Sequence, residues 1–379
     1  MNPFKYGGVV SGKDFADRKT ELSELIKELT SGQNMLLYSP RRYGKSSLAV
    51  AVLDQLQKNN FMTAFIDLYG CVSEADLANK LIEKTVIPAY DTTDKVLNFF
   101  KSSLSGVRPE LTISSDGRVK VSFTRDTQAL GEKELSEVLD LPEKLAKAKG
   151  KRLVVVFDEF QEIMSLDGIR LEKLMRASFQ HHKLATYIFM GSKKHIIEQM
   201  FENVNGPFYR FAKPFPLGKI PGFEFKTFIL SRFNETQIRI DPSTVDSILS
   251  FTEGHPYFTQ QLCHELWNIA CEKGAVGESD MKKAAENILS LYNDLFLRMW
   301  DSMTLPQRRL LIALSLENTT TLIYSMTWIK KYGLQSASHV KRAMSQLVKI
   351  GVVEKSGGNY YLPDIFFKEW IKTKMERGS

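Results

Sequence analysis

The stretch SPRRYGKSS, residues 39–47, sets Gly44, Lys45 and Ser46 in line. Polyphosphate carries dense negative charge, and a helix N-terminus with outward backbone N–H groups is a natural cradle for it. Gly44 would let the backbone approach the phosphates without a Cβ in the way. Lys45 would bridge the β- and γ-phosphates, and Ser46 would offer its hydroxyl to Mg2+. The pattern G-x-x-x-x-G-K-[ST] is broken at its first position, where Ser39 stands for glycine. Pro40 confines Ser39 to extended backbone, so the exit from the preceding strand is stiff. The N–H groups that face phosphate would come from Tyr43 through Ser47. Arg41 and Arg42 add positive charge, turned either to phosphate or to surface partners.

A second cluster is LVVVFDEF, an apolar run ending in Asp158 and Glu159. Carboxylates at the end of a buried strand are expensive unless they have a task. Asp158 would hold Mg2+ and Glu159 would polarise an attacking water. The plainer alternative is a pair of acids at a helix start, which favours them. In TYIFMGSKKH, Ser192 follows another apolar run and could reach a γ-phosphate or the water; otherwise it sits in a simple turn. In GPFYRFAKPF, Arg210 could neutralise charge that builds during phosphoryl transfer, or it is a surface arginine in a salt bridge.

These residues need a scaffold. Apolar runs at 35–38, 62–68, 152–158, 186–191 and 211–217 read as buried strands, and their lack of alternation suits a parallel sheet covered on both faces. Helical patterns lie between them: one from near Asp17 to near Gly32, one after the loop, one before the fourth run. The fold class is α/β, a parallel sheet with helices on both faces. Residues 109–124 alternate apolar and polar around SSDG, a hairpin signature. After Pro221 the pattern turns helical. PQRRLLIALSLE, SMTWIKKYG and SASHVKRAMSQLVKIG read as three helices, the last capped by Ser336 or Ser338. A hairpin turning at Gly357-Gly358 follows. That order is a winged helix-turn-helix. The expected domains are 1–220, a core with the hairpin inserted; 221–290, a helical lid; and 291–379, the winged helix.

With 379 residues, 43% hydrophobic and 25% charged, the balance is that of an ordinary globular chain. No apolar run approaches the roughly 20 residues that span a bilayer, and no secretory signal is evident, so a cytoplasmic location is expected. Cys71, Cys263 and Cys271 are scattered, without metal-ligand spacing. The formal net charge is +7. The region from Asp301 onward holds twelve lysines and arginines against six acids, which suggests a polyanionic partner.

Taken together, the motifs resemble those of the archaeal-type ATPases, within the AAA+/STAND group of P-loop NTPases that includes relatives of origin-recognition initiators. SPRRYGKSS is similar to that family's G-P-R-R-x-G-K-[ST]-S loop. FADRKTELSEL resembles its N-terminal box, which would place Phe15, Asp17 and Arg18 near the adenine. VVFDEFQEI, FMGSKKHIIEQMF and PFYRF match its acidic strand, sensor segment and following arginine stretch, although YRF lacks the usual glycine before Arg210. EGHPYFTQQLC resembles the lid motif, implying that Pro256 approaches the base, and YLPDIFFKEWI resembles the terminal D-P-x-F-x-x-W element. The resemblance implies a sheet in which the sensor strand lies between the loop strand and the acidic strand. It also implies ATP and Mg2+ as ligands and a molecular switch that couples hydrolysis to the winged helix. On the third winged-helix helix, Val340, Ala343, Leu347 and Ile350 share an apolar side. His339, Lys341, Arg342, Gln346 and Lys349 mostly point elsewhere, and with Lys355 on the wing they could meet double-stranded DNA. The competing reading is a nucleic-acid-binding or protein-docking regulator in which ATP binding is structural and turnover negligible; a homo-oligomer or another protein is the further partner expected. No membrane role is implied.

Overall fold

The computed structural model describes residues 1–10, 12, 15–16, 18–105, 109–113, 119–123, 131–192, 194–317, 323–356 and 358–378. They form two compact units, one of Gly7–Ile220, the other of Met1–Tyr6 with Pro221–Ser379. Along the first unit, α1 (Lys19–Thr30), β1 (Met35–Tyr38), α2 (Lys45–Lys58) and β2 (Met62–Asp67) lead into α3 (Glu74–Thr85) and α4 (Thr93–Ser103). The hairpin β3 (Pro109–Ile113) and β4 (Val119–Phe123) comes next, then α5 (Glu132–Leu139) and α6 (Leu141–Lys149). Then follow β5 (Leu153–Asp158), α7 (Gly168–Phe179), β6 (Ala185–Gly191), α8 (Lys194–Glu202) and β7 (Lys213–Pro216). The sheet order is β2-β5-β6-β1-β7, and every pairing in it is parallel. β6 therefore stands between β1 and β5, the order the resemblance implies. The ends of the loop, sensor and acidic strands are neighbours.

The strands alternate their side chains between two cores. Leu36, Val155, Phe157, Tyr187 and Phe189 join α3, α5, α6 and α7 on one face. Met35, Leu37, Val154, Val156, Ile188 and Met190 join α1 and α2 on the other. Because both faces are covered, the sequence of β5 shows no polar alternation and all six of its residues are buried. β7 differs from the expectation of a buried strand. Three of its four residues are exposed, and among the described residues it pairs only with β1. The N–H groups of Lys213 and Leu217 donate to Asn34 and Tyr38. Pro214 and Pro216 occupy the alternate positions, which face the open edge, where a missing N–H does no harm and blocks further pairing. β3 and β4 pair antiparallel, with Leu111 opposite Val121; the SSDG turn falls outside the described residues.

The second unit begins with a short segment in which Phe4 packs against Phe233 at 4.8 Å and Asn2 donates to the His264 carbonyl. Its helices α9 (Gly222–Glu235), α10 (Pro242–Phe251), α11 (Pro256–Ala270) and α12 (Glu278–Leu291) are accompanied by a minor parallel pair, β8 (Arg239–Ile240) and β9 (Ala275–Val276). α13 (Asn293–Asp301), α14 (Leu305–Leu316), α15 (Met326–Lys331), α16 (Ala337–Lys349), the wing strands β10 (Glu354–Ser356) and β11 (Asn359–Tyr361), and α17 (Ile365–Gly378) complete the chain. Ser336 is the residue that caps α16, accepting from the His339 N–H. Val340, Ala343, Met344 and Leu347 face its core, whereas Ile350 is 57% exposed. The helix ends at Lys349, so Ile350 falls beyond the apolar stripe and Met344 fills it instead. Among the described residues no helix is long and apolar enough to cross a membrane.

Candidate nucleotide site

The loop between β1 and α2 makes its turns at Arg42 and Gly44, with φ of 65° and 87°, both left-handed. Ser39 is not left-handed. The first glycine of the usual pattern is therefore not needed for backbone reasons; the reversal happens later in the loop. Gly44 suits its position because a Cβ disfavours this conformation. The first intrahelical bond of α2 runs from the Leu48 N–H to the Gly44 carbonyl. The N–H groups before it point out of the helix end, where the dipole favours an anion.

Ser39 has a task of its own. The Lys45 ammonium, 7% exposed, donates to the Ser39 carbonyl at 3.0 Å, to the Ser39 hydroxyl at 3.1 Å and to the Pro40 carbonyl at 3.1 Å. A buried cation needs acceptors, and the start of its own loop supplies them. Arg18, 2% exposed, donates to the Tyr43 carbonyl at 3.1 Å and to the Gly218 carbonyl at 2.9 Å. It also pairs with Glu21. It thus ties the turn before α1 to the loop and to the exit of β7. The Val10 N–H donates to the Ser47 hydroxyl at 3.0 Å. Arg41 and Arg42 are exposed. Phe15 packs against the core under α1 and α2, and Asp17 lies outside the described residues.

Across the strand ends runs a connected set of hydrogen bonds. Ser46 Oγ donates to Asp158 Oδ2 at 2.8 Å. The Glu159 N–H donates to Asp158 Oδ1 at 2.9 Å. Ser192 donates to Glu159 Oε2 through its hydroxyl, at 2.9 Å, and through its N–H, at 3.3 Å. Gln161 Nε2 donates to the same oxygen. Glu159 is left-handed, with φ of 50°, a strained turn that swings its side chain off the end of β5. Burial pushes the Asp158 carboxyl above its ordinary value, against the opposing donors Ser46 and the Glu159 N–H. Burial would raise Glu159 too, but hydrogen bonds from Gln161 and Ser192, with the charge of Lys45, hold it below its ordinary value.

Among the described residues no group of three His, Cys, Asp or Glu could hold a metal ion by itself. A hydroxyl and a carboxylate 2.8 Å apart are hard oxygen donors that suit Mg2+, which takes its remaining ligands from phosphates and water. Arg210 is left-handed and exposed, its guanidinium over the Tyr209 ring. Among the described residues no hydrogen bond or ion pair holds that guanidinium, and the structure does not join it to the loop. Pro256 belongs to the second unit, where it opens α11 behind the His255 cap. Sequence reasoning missed Gln161; its only signal was its place two residues after the acidic pair.

Residues 15–206 match the family model described as "ATPase domain predominantly from Archaea". Residues 294–373 match the model described as "Probable winged helix domain". Among curated proteins the chain is 22% identical over 323 residues to an uncharacterized WD repeat-containing protein of Synechocystis sp.; the match takes in 80% of this chain and 24% of that protein's length. Among solved structures it is similar to a Walker-type ATPase of Pyrococcus abyssi, with 19% identity, TM-score 0.65, and 98% and 99% of the two chains covered. It is also similar to the ORC2 protein of Aeropyrum pernix in its ADPNP–ADP complexes, with 13% identity, TM-score 0.57, and 96% of each chain covered. The ORC1 protein of the same organism, in complex with DNA, aligns with 16% identity, TM-score 0.50, and 97% and 96% covered. At these identities the likeness shows the fold.

Proposed function

The chain belongs to the family of ATPase domains found predominantly in Archaea, and from that premise we propose an ATP-hydrolysing molecular switch of the AAA+/STAND group. The observation that carries it is the unbroken set of hydrogen bonds from Ser46 through Asp158 and Glu159 to Ser192, which joins the start of α2 to the ends of β5 and β6 beside the phosphate loop. ATP would lie with its phosphates against the N–H groups from Tyr43 to Ser47. The Lys45 ammonium would exchange the Ser39 and Pro40 oxygens for those of the β- and γ-phosphates. Ser46 and Asp158 would hold Mg2+, which offsets charge on the phosphate oxygens. A water would attack the γ-phosphorus and give a proton to Glu159; its new P–O bond forms as the bond to the β–γ bridging oxygen breaks and ADP leaves. Ser192 would meet the γ-phosphate or the water. Arg210, exposed and unpaired among the described residues, would neutralise the developing charge, on its own chain or on a neighbouring copy. Arg18 would hold the loop from behind through the Tyr43 carbonyl, with Phe15 and Asp17 toward the base.

The winged helix would bind double-stranded DNA. His339, Lys341, Arg342 and Lys349 are exposed on α16, and among the described residues no carboxylate pairs with Lys341, Arg342 or Lys349. Lys355 lies over the Tyr360 ring on the wing. The Gln346 amide oxygen accepts from Gln307 at 3.2 Å, which leaves its two N–H groups to meet a base. The test of hydrolysis is ATP turnover in wild type, Lys45→Ala and Glu159→Gln. Should wild type be no faster than Glu159→Gln while both bind ATP, the switch hydrolyses nothing and the structural-nucleotide regulator stands. A salt titration of duplex binding, with Lys341 and Arg342 neutralised, tests the DNA assignment.

A further inference from the structure

Gln161 sits in the 3-10 turn Phe160–Ser165 that follows Glu159, and it is 3% exposed. Its side-chain nitrogen donates to Glu159 Oε2, with a longer contact to Glu162 at 3.5 Å. A carboxylate only accepts, so the amide must turn its nitrogen to Glu159 and its oxygen the other way. That oxygen is buried, and among the described residues it has no hydrogen-bond partner. It points at the end of β6, where a Cβ on Gly191 would lie 2.2 Å from it. Glycine at 191 therefore leaves room for this amide and for the Ile197 side chain, which would meet the same Cβ at 2.7 Å. A buried orphan oxygen destabilises the fold, yet the packing is built around it.

We propose that Gln161 is a positioning residue that keeps the Glu159 carboxylate aimed while Ser192 turns to the phosphate; this rests on the hydrolysis reading above. Ser192 has one hydroxyl proton, now given to Glu159 Oε2 at 2.9 Å. If that proton goes to a γ-phosphate oxygen, Glu159 loses its firmest donor from β6. Gln161 comes from a different element and has two N–H groups. It continues to hold Oε2, and Oε1, which takes no hydrogen bond from any described residue, stays turned toward the water. The base is thus fixed from the turn that follows it and is not released when the sensor residue engages substrate.

The test uses the full chain with ATP and Mg2+. Gln161→Met preserves length and volume and removes both donors. Turnover is expected to fall about 10- to 100-fold, the effect of losing a hydrogen bond to a charged group. The Kd for ATP, measured by calorimetry, is expected to stay within about twofold, since the lost bond acts on the transition state and not on ATP binding. Gln161→Asn, which withdraws the amide by one methylene, is the second variant and should show the same split. A folded variant with wild-type turnover overturns the proposal. So does a fall in turnover matched by weaker ATP binding and a lower melting temperature, which marks a merely structural residue. Glu159→Gln in the same assay separates the two readings. If wild type is no faster than Glu159→Gln, hydrolysis itself fails; if wild type is faster and Gln161→Met keeps pace with it, only the Gln161 assignment fails.

Discussion

At the phosphate loop, Lys45 is buried and its ammonium is held by three oxygens of its own loop. On α16 of the winged helix, Lys341, Arg342 and Lys349 stand exposed, and among the described residues no carboxylate answers them. The first arrangement sets direction: donors and acceptors are matched atom by atom in low dielectric, where a misplaced group is costly. The second sets only a potential, which attracts a polyanion from a distance and is screened by salt. Substitutions at the loop should therefore act steeply and on one step. Substitutions on α16 should act gradually and through ionic strength.

The largest effect is expected for Glu159→Gln. Turnover should fall about 10²- to 10⁴-fold, the range for a general base, while ATP binding, followed by calorimetry, stays near wild type. A small loss would mean that the loop region, too, works mainly by field. Next comes Arg18→Met. It leaves the Tyr43 and Gly218 carbonyls and Glu21 without their buried partner, and should lower stability by about 3 kcal/mol, the cost of breaking a buried pair. Thermal unfolding reads the stability, and ATP affinity should drop with it because the loop loses its support.

On the winged-helix side, Lys341→Ala with Arg342→Ala should lower the slope of log K against log salt for a DNA duplex by about 2, roughly one for each phosphate no longer neutralised. An unchanged slope would dissolve the contrast between the two regions. The smallest effect is expected at Glu143, a carboxylate of the first unit far from any proposed chemistry. Its Oε2 accepts the N–H groups of Lys183, Leu184 and Ala185 at 3.0, 2.8 and 3.0 Å. Burial would raise its carboxyl, but these donors and Lys147 hold it below its ordinary value of 4.5. A lowered carboxylate stabilises the fold above its ordinary value, and that stability is lost as pH falls through the folded value. Glu143→Gln should therefore lose about 1 kcal/mol at neutral pH and approach wild type in acid, with turnover unaffected. Glu143 and Glu159 are both held down by donors, so the pair shows whether that feature alone marks a base.

Much of the candidate site was legible in the residues. Gly44, Lys45 and Ser46 announce themselves by type and spacing, and Asp158 and Glu159 by their place at the end of an apolar run. The helices α3 to α6 were not singled out, because they lie among loops and their buried stripes are short. The edge position of β7 was missed although its two prolines hinted at it, since an apolar run reads alike in a central and an edge strand. The clasp of Arg18 on the loop depends on contacts made across the fold, and the grip of Gln161 on Glu159 depends on the left-handed turn at Glu159 that brings the two side chains together. Arg18 reaches carbonyls 25 and 200 residues away along the chain, and no local pattern encodes a backbone acceptor at that distance.

Sequence by itself determined which groups can do chemistry here and which strands and helices carry them. Residue type decides charge, hydrogen-bonding capacity and backbone freedom, and apolar periodicity decides which face is buried. Tertiary structure decided where those groups point. Ser39 became an acceptor for Lys45, Gln346 became an acceptor for Gln307, and Glu159 was turned left-handed onto Gln161 and Ser192. The physical reason is that a buried polar group must find its partner wherever the packing brings one, and that meeting is set by the sheet order and the cores on its two faces.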